Sequence, residues 1–263
     1  MYENSTIISE ILGSTAIIWL NRPEQHNALN GTMITEFLKT IKLLNNDPGI
    51  RVIMIQGKGP SFCAGADLLW MQQAAGLATA DNFHECLNLA GCFYAIATSP
   101  KVTVALVHGA AYGGAGGFVA ASDLAYAAVS ASFTFSEVRL GLIPATIAPY
   151  VLRKISYASA MELMLTGRKF SASEAEQKGL VNKALPDNEF YDYVHSMVGE
   201  ILLGGPNAQE IIKTSLNAWK KAEFNETLIE QSALQLAETR ITPEAAEGIS
   251  AFLEKRPIRW IPA

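Results

Sequence analysis

Residues 102–122 read VTVALVHGAAYGGAGGFVAAS, and the reading of this stretch decides the fold. It holds no Asp, Glu, Lys or Arg. Gly109, Gly113 and Gly117 form a double GxxxG, the pattern of transmembrane helix contacts. Against a membrane span stand five glycines, His108, and Asp123 at the close. The spacing predicts a buried strand over Val102–Val107, a glycine-rich turn, and a short helix to Ser122. A turn beyond the carboxyl end of a strand is where α/β sheets bind ligands. Bare backbone lets a ligand approach closely, and free N–H groups at a helix start favour negative charge.

The same pattern occurs upstream. Val52-Ile53-Met54-Ile55 reads as a short buried strand ending at Gly57, and the loop Ser61-Phe62-Cys63-Ala64-Gly65-Ala66-Asp67-Leu68 follows it. Further back, apolar runs at 7–12 and 16–20 flank Gly13-Ser14, a hairpin signal. Asn30 is placed to cap a helix carrying Ile34, Phe37, Leu38, Ile41 and Leu44 at helical spacing, which Asp47-Pro48-Gly49 stops. A long helix is expected from Asp81 to about Thr98, and strands at 124–128 and 133–135. Alternation of strand, loop and helix predicts an α/β class with parallel strands. After residue 144 the strand signals fade. Ser171 or Ser173 is placed to cap a short helix ending at Gly179. Phe190–Leu203, Ala208–Ala222 and Thr227–Arg240 read as amphipathic helices. The expected organisation is a core over 1–198 and a helical region over 199–263.

Composition narrows the function. Over 263 residues, 49% are hydrophobic and 17% charged, which excludes intrinsic disorder. The net charge of −5 and the lack of a basic stripe make nucleic acid and anionic lipid poor partners. Cys63, Cys86 and Cys92 cannot all pair and show no CxxC spacing, so free thiols in a reducing compartment are expected. The start, MYENSTIISE, has no basic segment or long apolar core, which reads as cytoplasmic rather than exported. GxSxG, GxGxxG, Walker and HExxH motifs are absent, and His26, His84, His108 and His195 are scattered, so no metal site is expected.

Chemistry therefore rests on the two glycine loops and on Phe133-Thr134-Phe135-Ser136-Glu137-Val138-Arg139-Leu140-Gly141-Leu142-Ile143-Pro144. One backbone N–H from each loop could hold a thioester oxygen as it becomes an enolate, each donor being worth about 3 kcal/mol in a transition state. Tight helix–strand packing explains the same glycines equally well. Glu137, a rare charge in apolar surroundings, suits a general acid or base of raised pKa. Taken alone, its residues favour a surface ion pair with Arg139.

The three segments together resemble the crotonase superfamily, also called enoyl-CoA hydratase/isomerase. The likeness runs over nearly the whole chain. It includes Leu20-Asn21-Arg22-Pro23, Asn27-Ala28-Leu29, FCAGADL, HGAAYGGAGG, SEVRLGLIP, Leu165-Thr166-Gly167, Ala175 with Gly179-Leu180-Val181, and Glu247-Gly248 with the Phe252–Pro257 run. The resemblance implies a spiral of ββα units followed by a C-terminal helical trimerisation region, with trimers often pairing into hexamers. It implies an acyl-CoA substrate and no other cofactor, coenzyme A being part of the substrate. It places the oxyanion hole at the N–H groups of Ala66 and Gly114 and the acid–base carboxylate at Glu137. Substrate contacts fall on His26, Ala28, Ala64, Asp67, Leu68, Tyr112, Gly113 and Gly117.

Two departures stand out. Typical hydratases of the family carry a second glutamate, which falls here on Gly117. A lone carboxylate at the Glu137 position is similar to Δ3-Δ2-enoyl-CoA isomerases and to some bacterial hydratases. The strings GGAGGFVAASD and SEVRLGLIPATIAPYV most resemble bacterial 3-methylglutaconyl-CoA and isohexenylglutaconyl-CoA hydratases. The expectation is hydration of a 2-enoyl-CoA, branched or carboxylated, with Gly117 leaving space for a water or a 3-methyl group. The alternatives are an isomerase, or a non-catalytic acyl-CoA- or RNA-binding member. The second departure is Glu24, where many members have Lys near the CoA. Lys255 or Arg256 of a neighbouring subunit is placed to compensate.

Overall fold

The structure is a computed structural model that describes residues 5–220 and 222–260. Strands β1 (Ile7–Leu12) and β2 (Thr15–Leu20) form an antiparallel hairpin through Gly13, whose φ of +59° suits glycine. Helix α1 (Gly31–Asn46) starts where the Asn30 side chain accepts the Met33 N–H at 2.9 Å. β3 (Val52–Gly57) and β4 (Val102–Val107) then add in parallel. Between them lie α2 (Leu68–Ala74) and α3 (Thr79–Ala97). The sequence reading started α3 two residues late and did not anticipate α2, whose seven residues are none of them buried.

β5 (Ala110–Tyr112), α4 (Ala115–Ala121), β6 (Leu124–Ala128) and β7 (Ser132–Thr134) come next. Beyond residue 144 the chain forms α5 (Ala148–Lys154), α6 (Tyr157–Thr166), β8 (Phe170–Ser171), α7 (Ala172–Gln177) and β9 (Lys183–Leu185). Strands of two and three residues are too short to leave an alternation in sequence, so β8 and β9 went unseen. Ser171, of the two candidate caps, accepts the Glu174 N–H and starts α7. The chain closes with α8 (Phe190–Leu203), α9 (Pro206–Trp219), α10 (Glu226–Arg240) and α11 (Pro243–Glu254).

The main sheet has the order β1-β2-β3-β4-β6-β9, and its central strands β3 and β4 are buried on both faces. Ile53, Ile55, Ala105 and Val107 face a core shared with α1, α3 and α4, while Val52, Met54, Val104 and Leu106 face Phe190, Val194 and Val198 of α8. That explains the uninterrupted apolar runs of β3 and β4. The boundary expected after residue 198 falls inside α8, whose buried face belongs to this second core, so the outlying helices begin after Leu203. Arg51, at the start of β3, fastens the junction by donating to the carbonyls of Leu202 and Gly204.

Successive turns of the chain each add one short segment to a second ladder. Leu29 lies beside Ala66, Cys63 beside Ala111, β5 beside β7 and β7 beside β8. This is the spiral the resemblance implies. Among the described residues no helix is long and apolar enough to cross a membrane.

Candidate active site

The two glycine loops meet because this ladder stitches them together. Phe62 N–H donates to His108 O at 2.8 Å, Cys63 N–H to Ala110 O at 2.9 Å, and Tyr112 N–H to Cys63 O at 3.0 Å. Gly65 has φ +95°, and a Cβ there would stand 2.9 Å from the Tyr112 carbonyl oxygen. Only glycine lets the loops approach this closely.

The ladder engages most of the neighbouring backbone groups but leaves the Ala66 and Gly114 N–H groups free. Leu29 N–H donates to Gly65 O and Asp67 N–H to Leu29 O, so the intervening Ala66 N–H has no acceptor among the described residues. Gly113 N–H donates to Thr134 O, and Gly116 and Gly117 N–H donate to Gly113 O and Gly114 O. The Gly114 N–H likewise has no acceptor among the described residues. Two free donors, one per loop, are what an oxyanion hole requires. Gly114 also stands at the N-terminus of α4, where the backbone dipoles add positive potential.

Glu137 opens a 3-10 turn (Glu137–Leu140) just after β7. Its Oε1 lies 3.3 Å from where a Cβ on Gly113 would be, so the carboxylate rests against bare backbone beside Gly114. Its Oε2 is buried with no hydrogen-bond partner. Burial pushes the pKa of Glu137 up from the ordinary carboxylate value. The surface ion pair with Arg139 does not form. Arg139 instead turns to the Thr166 carbonyl, 3.4 Å from its Nε, and stays exposed.

The remaining candidates divide. His26, Ala28 and Ala64 share one edge, with Ala64 N–H donating to His26 O at 2.9 Å and His26 Nδ1 3.0 Å from Ser61 Oγ. Buried Asn27 holds that edge by donating to Lys58 O and Ser61 O and accepting from Arg22 N–H. Leu68 is 70% exposed at the start of α2. The Asp67 carboxylate is already engaged: Oδ2 pairs with Arg22 at 2.8 Å and Oδ1 accepts from Leu69 and Trp70 N–H. Its place is at the head of α2, not free toward a ligand, and the Arg22 guanidinium holds its pKa below the usual carboxylate range. Tyr112 contributes backbone, while its hydroxyl lies 2.9 Å from Ser132 Oγ.

Gly117 requires a correction. The expected space beside it is not there. A Cβ on Gly117 would stand 2.5 Å from Cε1 and Cζ of Phe93 and 2.8 Å from Cγ2 of Ile147. Gly117 is the close-packing glycine of the alternative reading, and Gly113 is the one with a carboxylate against it. Neither Phe93 nor Ile147 stood out in the sequence, because Phe93 reads as an ordinary apolar position of a helix and Ile147 lies where no element was expected. Of the residues placed to supply CoA contacts across a subunit boundary, Arg256 is bound to Glu247 and Glu254 of its own chain, at 2.6 Å each. Among the described residues no group of three His, Cys, Asp or Glu side chains is placed to hold a metal ion.

A spiral of ββα turns that leaves two free N–H groups beside one buried carboxylate defines a crotonase-fold enzyme. Comparison with known proteins agrees over nearly the whole length: residues 10–262 match the model of the enoyl-CoA hydratase/isomerase family, and the chain belongs to that family. It is 33% identical over 263 residues to the crotonyl-CoA hydratase of Syntrophomonas wolfei, covering 99% of this chain and 98% of that one. A solved structure from Legionella pneumophila, assigned to the same hydratase/isomerase (crotonase) group, superposes with a TM-score of 0.94. It is 36% identical and covers 98% of this chain and 99% of its own. An enoyl-CoA hydratase of Shewanella pealeana gives a TM-score of 0.93 at 30% identity, covering 97% of this chain and 96% of its own.

Proposed function

We propose that the chain adds water to the double bond of a 2-enoyl-CoA thioester, with Glu137 as the group that moves protons. The observation that carries this reading is the buried Glu137 carboxylate lying against Gly113, next to the free N–H groups of Ala66 and Gly114. The thioester oxygen accepts from those two N–H groups. Glu137 takes a proton from water, the hydroxide adds to the β-carbon, and the π electrons move onto the thioester as an enolate. The two donors hold that charge, and Glu137 returns its proton to the α-carbon. Coenzyme A enters as part of the substrate, along the His26, Ala28 and Ala64 edge. The sequence strings support a branched or carboxylated acyl group of the 3-methylglutaconyl kind, but Gly117 offers no cavity for its methyl group.

One observation favours a second reading. With Phe93 and Ile147 filling the side of α4 where a second carboxylate would stand, a single proton shuttle is all this wall leaves. A Δ3-Δ2-enoyl-CoA isomerase needs no more. A panel of straight, branched and carboxylated 2- and 3-enoyl thioesters, scored for hydration and for double-bond shift, tests both. Hydration of at least one 2-enoyl-CoA at useful turnover is expected. Double-bond shift without any hydration would replace the first reading by the second.

The outlying helices support self-association as a trimer or a pair of trimers. Ile212, Leu216, Ile229, Leu234, Leu236, Ile241 and Phe252 are all more than half exposed in the single chain. That is more apolar surface than a lone soluble chain leaves uncovered. Light scattering at micromolar concentration checks this, a trimer multiple being expected.

A further inference from the structure

The turn Lys58–Ser61 joins β3 to the first glycine loop and is gripped from two sides. On one side buried Asn27 donates to the carbonyls of Lys58 and Ser61, and Ser61 Oγ lies 3.0 Å from His26 Nδ1. Gly59 packs there too, where a Cβ would stand 2.7 Å from Cβ of Pro23. The turn therefore carries the edge formed by His26, Ala28 and Ala64. On the other side stands His108, the first residue after β4.

The His108 ring is half-buried, and its Nε2 donates to the Gly59 carbonyl at 2.9 Å. A carbonyl oxygen accepts and cannot donate, so Nε2 carries the proton. Nδ1 is buried with no hydrogen-bond partner, so the Gly59 carbonyl is the one group this ring holds among the described residues. The backbone of the same residue grips the end of the turn, with Phe62 N–H donating to His108 O at 2.8 Å. Gly109 follows at φ +58°, and a Cβ there would collide with the Pro60 carbonyl oxygen. Gly59 itself has φ +74° and, among the described residues, no other donor to its carbonyl. Without the ring, its peptide regains the wide conformational freedom of glycine.

We propose that His108 is a positioning residue, whose ring fixes the Gly59 turn against the second glycine loop and keeps the His26 edge formed before the thioester arrives. This rests on the hydratase reading above, in which coenzyme A lies along that edge. Losing the ring lowers the fraction of chains with the edge formed, which weakens binding by the same factor and leaves the bound state unchanged. KM for a CoA thioester should rise about three- to tenfold, the range of one net hydrogen bond, while kcat stays level.

The test compares the wild type with His108→Ala, His108→Gln and Ser99→Ala. The Gln amide reaches about as far as Nε2 and should restore the wild-type KM. Ser99 is buried before the other end of β4 and donates to Asn45 Oδ1 at 2.6 Å, so its loss weakens the fold without touching the turn. Each variant is assayed with crotonyl-CoA and with crotonyl-N-acetylcysteamine, which lacks the nucleotide and most of the pantetheine arm. Calorimetry with butyryl-CoA gives Kd beside KM. Only His108→Ala should show the rise, and only with the CoA thioesters. A KM within twofold of wild type overturns the proposal, as does an equal rise with the short thioester, in Ser99→Ala or in His108→Gln. If His108→Ala does not fold, His108→Leu, which keeps bulk without the donor, decides. If neither folds, the ring holds the whole fold and the proposal fails. A wild type that binds butyryl-CoA but hydrates no enoyl thioester removes the hydratase reading, and the Kd ratios then decide the role of His108. A wild type that binds no CoA thioester removes both.

Discussion

Helices α4 and α10 belong to one chain and are stabilised in opposite ways. All seven residues of α4 are buried, it carries no charge, and Gly116 and Gly117 are packed so tightly that a methyl group on either would collide with an aromatic ring. None of the fifteen residues of α10 is buried, and Ile229, Leu234 and Leu236 are each at least 55% exposed. An isolated helix of that length is marginal in water. The chain therefore holds α4 in place by itself, whereas in the proposed assembly another copy covers the face of α10. The packing of α4 is finished within one chain, whereas the apolar face of α10 is not.

The largest expected effect lies just off the end of α4. In the proposed mechanism that helix only holds the Gly114 N–H, and the moving proton belongs to Glu137 on a neighbouring turn. Glu137→Gln should lower kcat by about 10²–10⁴-fold while leaving acyl-CoA binding nearly intact. It should also raise Tm at neutral pH. Burial lifts the folded-state pKa of Glu137 above the ordinary 4.5, so the folded chain keeps that proton to higher pH than the unfolded chain. Stability then falls as pH rises from the unfolded to the folded pKa and stays lower above it. The amide carries no such charge. Melting curves at pH 4 and pH 7 should show the variant gaining on the wild type only at the higher pH. A variant that keeps half its turnover removes Glu137 from the mechanism.

Charges on α10 come next. Leu234→Asp with Leu236→Asp should reduce the mass in solution to that of one 28.4 kDa chain, with α4 and the site still folded. A wild type already at that mass would mean the face of α10 meets water, and the contrast between the helices would lose its meaning.

Gly117→Ala is smaller and concerns α4 alone. The new methyl group must displace Phe93 or Ile147, and overpacking of this kind costs about 1–3 kcal/mol. Gln231→Ala on exposed α10 should change stability by less than about 0.5 kcal/mol. Gly117→Glu should lower activity toward branched and unbranched thioesters together, since a buried carboxylate there has no room to act. Denaturant melts of the two alanine variants measure the difference directly.

Both helices were legible in the sequence, but only one of their environments was. A stretch without charges around 102–122 forces burial of α4, and the strand and the helix fell where the spacing put them, with the unforeseen β5 inside the expected turn. Glu137 was legible as a rare charge among apolar neighbours. The role of each glycine was not. Gly113 and Gly117 look alike in the string, yet one faces a carboxylate and the other a phenyl ring contributed from α3. What meets a bare α-carbon depends on residues far away in sequence, so no local pattern encodes it. Helices α2, α5 and α6 were missed because their apolar residues are few or partly exposed, which blurs the period. The resemblance put Asp67 among the substrate contacts, and no local pattern shows that its carboxylate pairs with Arg22, 45 residues away.

That pairing gives the smallest prediction and refines the contrast. Helix α2 has the same seven-residue length as α4, yet none of its residues is buried. It is held by Trp70 packed against the main core, by the Asp67 cap and by the bond from Arg22, which also donates to the Ala28 carbonyl. Asn also caps helices well, so Asp67→Asn should keep the cap and lose only the charge pairing. The cost at pH 7 should be about 1 kcal/mol, since the amide keeps the cap and a neutral hydrogen bond replaces the charged one. Its pH dependence has a definite sign. Arg22 lowers the folded-state pKa of Asp67, so the folded chain releases that proton more readily than the unfolded one. The stabilisation is complete above the unfolded pKa, near 3.9, and is lost as pH falls through the folded value. The gap between wild type and Asp67→Asn should therefore hold from pH 7 down to about pH 4 and close below it. A gap that is constant down to pH 2 would mean that shape, not charge, ties α2 to the oxyanion loop.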